Sequence, residues 1–204
     1  MSILDSLLAI IAPHDCLGCA TEGVLLCQNC RRQIVPAPAI AIPPGPLDAV
    51  IATTRYNGLA KELVHRLKFS GSQAAAREMA GLFPIHLLPP GALVMPVPTA
   101  TSRIRQRGYD QAALLARHLA RAGGMPYRSC LRRRGQQHQV GASRQQRLAQ
   151  LARAYRVVHA ERLVGTTVVI VDDVMTTGAT LQAAAAVLKQ AGASRVEAMV
   201  FAQA

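Results

Sequence analysis

Apolar residues recur along this chain in two alternating rhythms, short β-branched runs and longer stretches with helical spacing. The runs at Asp48 to Tyr56, Leu93 to Val97, Arg128 to Arg132, Ala154 to Val158, Val168 to Val171 and Val196 to Ala202 predict strands. Between them, Leu59 to Phe69, Gln73 to Phe83, Tyr109 to Ala122, Ser143 to Arg153 and Thr180 to Ala191 predict helices. In the third of these, Leu114, Leu115, Leu119 and Ala122 share one face, and Gly123-Gly124 closes the helix. Met1 to Ala12 predicts a short amphipathic helix that Pro13 ends, with membrane attachment as the alternative. Strands separated by helices predict an α/β fold with a parallel sheet and right-handed crossovers.

Residues 168 to 180, VVIVDDVMTTGAT, concentrate the chemistry. Val168 to Val171 have no polar alternation, as expected of a strand buried on both faces. Asp172 and Asp173 then fall at its carboxyl end, where open α/β sheets bind ligands. Met175 to Thr180 turn into the next helix, with Gly178 free to take a positive φ. Successive backbone N–H groups there would converge on an anion, and Thr176, Thr177 and Thr180 add hydroxyls. Two acids repel a bare phosphate, so they call for vicinal ribose hydroxyls or a hydrated Mg²⁺. A Walker A loop is excluded because no Gly-Lys-Ser/Thr follows the turn, and a dinucleotide fingerprint because G-x-G-x-x-G is absent.

A second cluster lies near the start. Cys16-Leu-Gly-Cys19 and Cys27-Gln-Asn-Cys30 are C-x-x-C pairs with seven residues between them, a spacing that predicts a tetrahedral four-cysteine zinc site. An iron–sulfur cluster and redox thiols are the alternatives. Disulfides would need an oxidising compartment, and the apolar start lacks the basic residues of a secretory signal, so a cytoplasmic location is expected. Cys130, in a predicted strand, is expected to pack. The Pro-rich stretch from Pro36 to Pro46 predicts an extended connection, dividing a zinc module over 1–40 from the α/β domain over 41–204. No run is long and apolar enough to predict a membrane span.

The net charge of +12 is localised. Residues 101 to 162 hold 14 of the 23 basic residues, all arginine, against Asp110 and Glu161, which accounts for the entire excess. Such a field would steer a pyrophosphate or a nucleic acid. Aromatics make up only 3% and Trp is absent, which disfavours extensive base stacking on a single strand and leaves phosphate contacts. Arg103, Arg105 and Arg107 alternate, so an extended loop would aim all three the same way at a pyrophosphate. A polar stretch from Arg132 to Arg147, rich in Gln, predicts a mobile loop in which His138 and Arg147 are candidate ligand contacts.

The 168 to 180 segment resembles the phosphoribosyl pyrophosphate (PRPP) motif of type I phosphoribosyltransferases. That resemblance implies that Asp172 and Asp173 hold the ribose 2′- and 3′-hydroxyls as the catalytic pair. It also implies that Val174, Met175, Thr176, Thr177, Gly178, Ala179 and Thr180 bind PRPP, with 176 to 180 on the 5′-phosphate. The arginine loop occupies the place of the pyrophosphate loop in such enzymes, and the polar stretch that of a loop closing over the site. More narrowly, the ordered set of a four-cysteine module, Tyr56-Asn-Gly58, Leu67-Lys68-Phe69-Ser-Gly71, Pro96-Val-Pro98, Arg107-Gly-Tyr-Asp-Gln-Ala112, Gln139 with Arg147, and VVIVDDVMTTGAT resembles the ComF family. The chain departs from that pattern at Asp110, Gln136 and Gln150, where the family usually shows Asn, Thr and Asn. The resemblance implies a zinc ribbon ahead of a phosphoribosyltransferase-like domain, Zn²⁺ and Mg²⁺, PRPP or another phosphorylated ribose as ligand, and a role in DNA uptake and natural transformation. A non-catalytic single-stranded-DNA accessory or a nucleotide-sensing adaptor is the alternative.

Overall fold

The computed structural model describes residues 15–40, 45–69, 72–134 and 154–204. The expected helices over Met1 to Ala12 and Ser143 to Arg153, and the candidates His138 and Arg147, lie outside them. In chain order the elements are α1 (Gln28–Arg31), β1 (Ala49–Arg55), α2 (Gly58–Phe69), α3 (Gln73–Ala80), β2 (Leu93–Pro96), α4 (Thr101–Arg107), α5 (Gln111–Ala122), β3 (Leu131–Arg133), β4 (Tyr155–Val157), β5 (Thr167–Met175), α6 (Ala179–Gln190) and β6 (Arg195–Gln203).

Four strands form one sheet in the order β1-β6-β5-β2, every neighbouring pair parallel. The two central strands are the most continuously apolar, since both of their faces are covered. One face carries Val169, Val171, Met199 and Phe201 against Leu63, Val64 and Leu67 of α2, Met79 of α3 and Leu115 and Leu119 of α5. The other carries Val168, Ile170, Ala198 and Val200 against Leu181, Ala184 and Leu188 of α6, together with Leu131 and Tyr155. In α2, buried Ala60, Leu63, Val64 and Leu67 follow helical spacing, so a single stripe fixes its rotation.

Three expectations are corrected. β3 and β4 pair antiparallel in a separate two-stranded sheet, where Leu131 and Tyr155 pack with the α6 layer and not within the parallel sheet. β5 runs through the acid pair to Met175, since β6 supplies Val200, Ala202 and Gln203 as partners for Asp172, Val174 and Met175. The expected extended arginine loop contains the helix α4, closed by Gly108 at φ 80°. Residues four apart on a helix share a face, so Arg103 and Arg107 align while Arg105 lies about 200° around from each.

The proline-rich connection begins as an edge to the sheet. Arg55 N–H donates to Val35 O at 3.0 Å and Ala37 N–H to Thr53 O at 3.2 Å, so the chain entering from the cysteine module runs antiparallel along β1. That module is not held by β1 alone. Cys16, Leu25, Leu26 and Cys30 are buried in the same apolar cluster as α2 and α3, and Arg31 pairs with Glu78 of α3.

Candidate functional site

The carboxyl ends of the parallel strands place the acid pair where the sequence puts it, and the pleat separates the two side chains. Val169 and Val171 face the α2, α3 and α5 layer, and Val168 and Ile170 face the α6 layer. Successive side chains on a strand point to opposite faces, so Asp173 continues the first set and Asp172 the second. Asp173 is buried at 5% exposure and forms an ion pair with Lys68 of α2, Nζ to Oδ2 at 3.1 Å. Asp172 is half-buried, and one of its oxygens accepts from Asp173 N–H at 2.9 Å. Burial, then the Asp173 charge, hold its carboxyl well above the usual carboxylate range, against the opposing pull of Lys68. The Tyr155 hydroxyl is raised by burial and by Asp172, and it has no hydrogen-bond partner among the described residues.

Beyond Met175 the chain turns through Thr176, Thr177 and Gly178. Gly178 takes φ 73° as the N-cap of α6, a left-handed conformation that costs a residue with a Cβ about 1–2 kcal/mol. Among the described residues, no side chain caps α6 at its start. Thr177 Oγ1 accepts from Ala179 N–H only at 3.4 Å, and Thr176 and Thr177 are exposed. The positive end of a twelve-residue helix, with its free N–H groups, therefore opens beside two carboxylates. Val174 is half-buried and packs against the α2 layer, while Met175 is buried on the α6 side and lies against the turn at Gly178.

The arginine candidates divide. Arg103 and Arg105 are exposed, whereas Arg107 is half-buried, its guanidinium 5.5 Å over the ring of Phe69. Arg107 Nη1 is buried without a hydrogen-bond partner among the described residues. Asp110 serves as a helix cap. Its Oδ1 accepts from Ala112 N–H, Ala113 N–H and the Thr99 hydroxyl at 3.1, 3.2 and 3.0 Å, capping α5. Asn and Asp cap helices about equally well, which explains the departure from the family pattern at this position.

The cysteine cluster is assembled. The sulfurs of Cys16, Cys19, Cys27 and Cys30 all lie within 4.8 Å of one another, with Cys19 and Cys27 3.7 Å apart. A tetrahedral zinc with bonds of about 2.3 Å has sulfur–sulfur edges of about 3.8 Å, so the set fits one ion. Backbone N–H groups support the thiolate form. The N–H of Cys27, then those of Gly18 and Cys19, lower Cys16 to about 6, whereas burial pushes Cys30 up to about 12. Gly18 is needed for space, since a Cβ there would stand 2.6 Å from Cys30 Sγ. Cys130 is buried, and burial raises its thiol, as expected of a packing residue.

Two residues of the site escaped sequence reasoning. Lys68 was legible only as part of a family pattern, because nothing local says that the last turn of α2 reaches Asp173. Tyr155 had no signal beyond an aromatic in a strand.

A parallel sheet flanked by helices, with an acid pair and a Gly-turned helix start at its carboxyl end, defines a phosphoribosyltransferase-like domain, and residues 104–204 match the phosphoribosyl transferase domain family. The whole chain has relatives beyond that domain. It is 29% identical over 201 residues to DNA utilization protein YhgH of Salmonella typhi, covering 89% of this chain and 86% of that one. It is 26% identical to competence protein F of Haemophilus influenzae, over 89% and 81% of the two chains. Competence protein ComFC of Bacillus subtilis matches at 30% identity, over 67% of this chain and 56% of that one. The chain belongs to the ComF family.

Proposed function

We propose that the chain binds Mg²⁺-PRPP at the β5–α6 turn and acts in DNA uptake and use, as the names of its relatives indicate for them. The observation that carries the ligand reading is the juxtaposition of the uncapped start of α6, turned by Gly178 at φ 73°, with Asp172 and Asp173. Val174 to Thr180 would cradle the 5′-phosphate through backbone N–H groups and threonine hydroxyls. Asp172 and Asp173 would take the ribose hydroxyls, and their carboxylates suit Mg²⁺, which binds through one or two carboxylates plus substrate phosphates. Arg107, with a buried nitrogen that lacks an acceptor among the described residues, would meet the pyrophosphate. The four thiolates would hold a structural Zn²⁺ in a reducing compartment, the cytoplasm.

Isothermal titration of the zinc-loaded protein with PRPP in the presence of Mg²⁺ tests this. Saturable one-site binding is expected, abolished in Asp172→Asn/Asp173→Asn; heats no larger than dilution would overturn the reading. Transfer of phosphoribose needs a nucleophile held against C1′ on the side away from pyrophosphate. Pyrophosphate release measured across a panel of nucleobases is the assay for it.

A further inference from the structure

We propose that Lys68 is a ligand-binding residue of this site: it serves as the tethered counter-cation of Asp173, and a divalent metal arriving with the ligand releases it to the ligand's phosphates. The inference rests on the Mg²⁺-PRPP reading, and it brings into the site a residue outside the matched domain, which begins at residue 104.

A carboxylate as buried as Asp173 needs a positive partner, and among the described residues the ammonium of Lys68 lies 3.1 Å away as its ion-pair partner. The pair is not a sealed structural bridge. The Lys68 side chain keeps 22% exposure against 7% for Asp173, so it lies on the open side of the pair. Its four-carbon stem gives the ammonium freedom to change partners, which a guanidinium fork in fixed geometry would have less of. Placement in the last turn of α2 favours a cation there with or without the carboxylate.

The adjacent residue ties Lys68 to the anion side of the site. Phe69 is 66% exposed, unusual for a large apolar side chain, and its ring lies under the Arg107 guanidinium. Arg107 in turn holds a buried Nη1 that, among the described residues, has no hydrogen-bond acceptor. The end of α2 thus sets one cation on the carboxylate and steadies a second that awaits an anion. A metal-bearing diphosphate would complete both. Its Mg²⁺ takes over the carboxylate, and its phosphate oxygens accept from Arg107 and the freed Lys68.

Lys68→Met and Lys68→Arg, each checked for zinc content and for melting temperature without ligand, separate this role from a structural one. Mg²⁺ alone is titrated first, then PRPP at saturating Mg²⁺. In Lys68→Met, tighter binding of Mg²⁺ alone is expected, because the carboxylates lose their internal cation. PRPP affinity should fall about tenfold or more, as for a lost charge-assisted hydrogen bond, and Lys68→Arg should recover most of it. If wild type binds Mg²⁺-PRPP and Lys68→Met matches it in both titrations, the role of Lys68 is overturned while the site reading stands. If wild type binds no PRPP but Lys68→Met still gains Mg²⁺ affinity, Lys68 remains the counter-cation and the PRPP reading falls.

Discussion

Asp172 and Asp173 are neighbours in sequence but not in environment, because the pleat sends one toward α6 and Tyr155 and the other toward Lys68. Their stability effects should differ accordingly. The folded-state value of Asp172 is raised, first by burial and then by Asp173, so the protonated carboxyl is the form the fold favours. Its contribution is present in acid and is lost as pH rises from the ordinary carboxylate range through the raised value. Asp172→Asn should therefore raise the melting temperature at neutral pH, by about 0.5–2 kcal/mol of stability, with the gain shrinking toward about pH 4. Thermal melts across that range check it, and an Asn variant less stable at neutral pH would refute the assignment. At Gly178, substitution by Val should cost about 1–2 kcal/mol through the left-handed φ and should weaken phosphate binding, read by denaturant melts and by titration. The acid pair and Gly178 were visible in the sequence, as two acids after a β-branched run and a Gly in the turn that follows. The inequality of the two acids was not, because it depends on which helices cover each face.

At the scale of elements, periodicity located the strands and helices of the sheet where a single apolar face or run decides them. It failed at residues 101 to 107, where no residue is buried and the pattern therefore carried no information. There the local stop is Gly108 at φ 80°, which closes the helix. The four cysteines were legible as one cluster from spacing alone, but their place in the core was not. Cys16, Leu25, Leu26 and Cys30 bury against α2 and α3, so loss of the metal should destabilise the main body and not only the module. Chelation of the purified protein should lower the melting temperature of the sheet, followed by far-ultraviolet circular dichroism. A transition unchanged after metal removal would show the module to be independent. Gly18→Ala should reproduce the loss, since its methyl would meet Cys30 Sγ, and metal analysis should then find less than one ion per chain.

Over the whole molecule, charge and topology were legible to different degrees. The arginine excess between residues 101 and 162 follows from counting, and the exposure of Arg103 and Arg105 leaves part of it on the surface. If single-stranded DNA is a partner, binding should rest on phosphate contacts. Affinity should fall with salt at about −0.7 per neutralised phosphate on a log–log plot, and Arg103→Ala/Arg105→Ala should flatten that slope. Fluorescence anisotropy at several salt concentrations measures it, and a slope unchanged in the double variant would remove α4 from the contact. Among the described residues no helix is long and apolar enough to cross a membrane, in keeping with the hydropathy of the chain. By itself the sequence determined the alternation of strands and helices, the set of four cysteines, and the acid pair followed by a glycine turn into a helix over 168 to 180. Each depends on residues close together in the chain whose backbone preferences and chemistry act locally. Only the tertiary structure decided that β3 and β4 leave the main sheet, that the cysteine module shares the core of α2 and α3, and that Lys68 reaches Asp173. Those are contacts between residues far apart in the chain, fixed by which apolar faces find one another on folding and not by any pattern within a single segment.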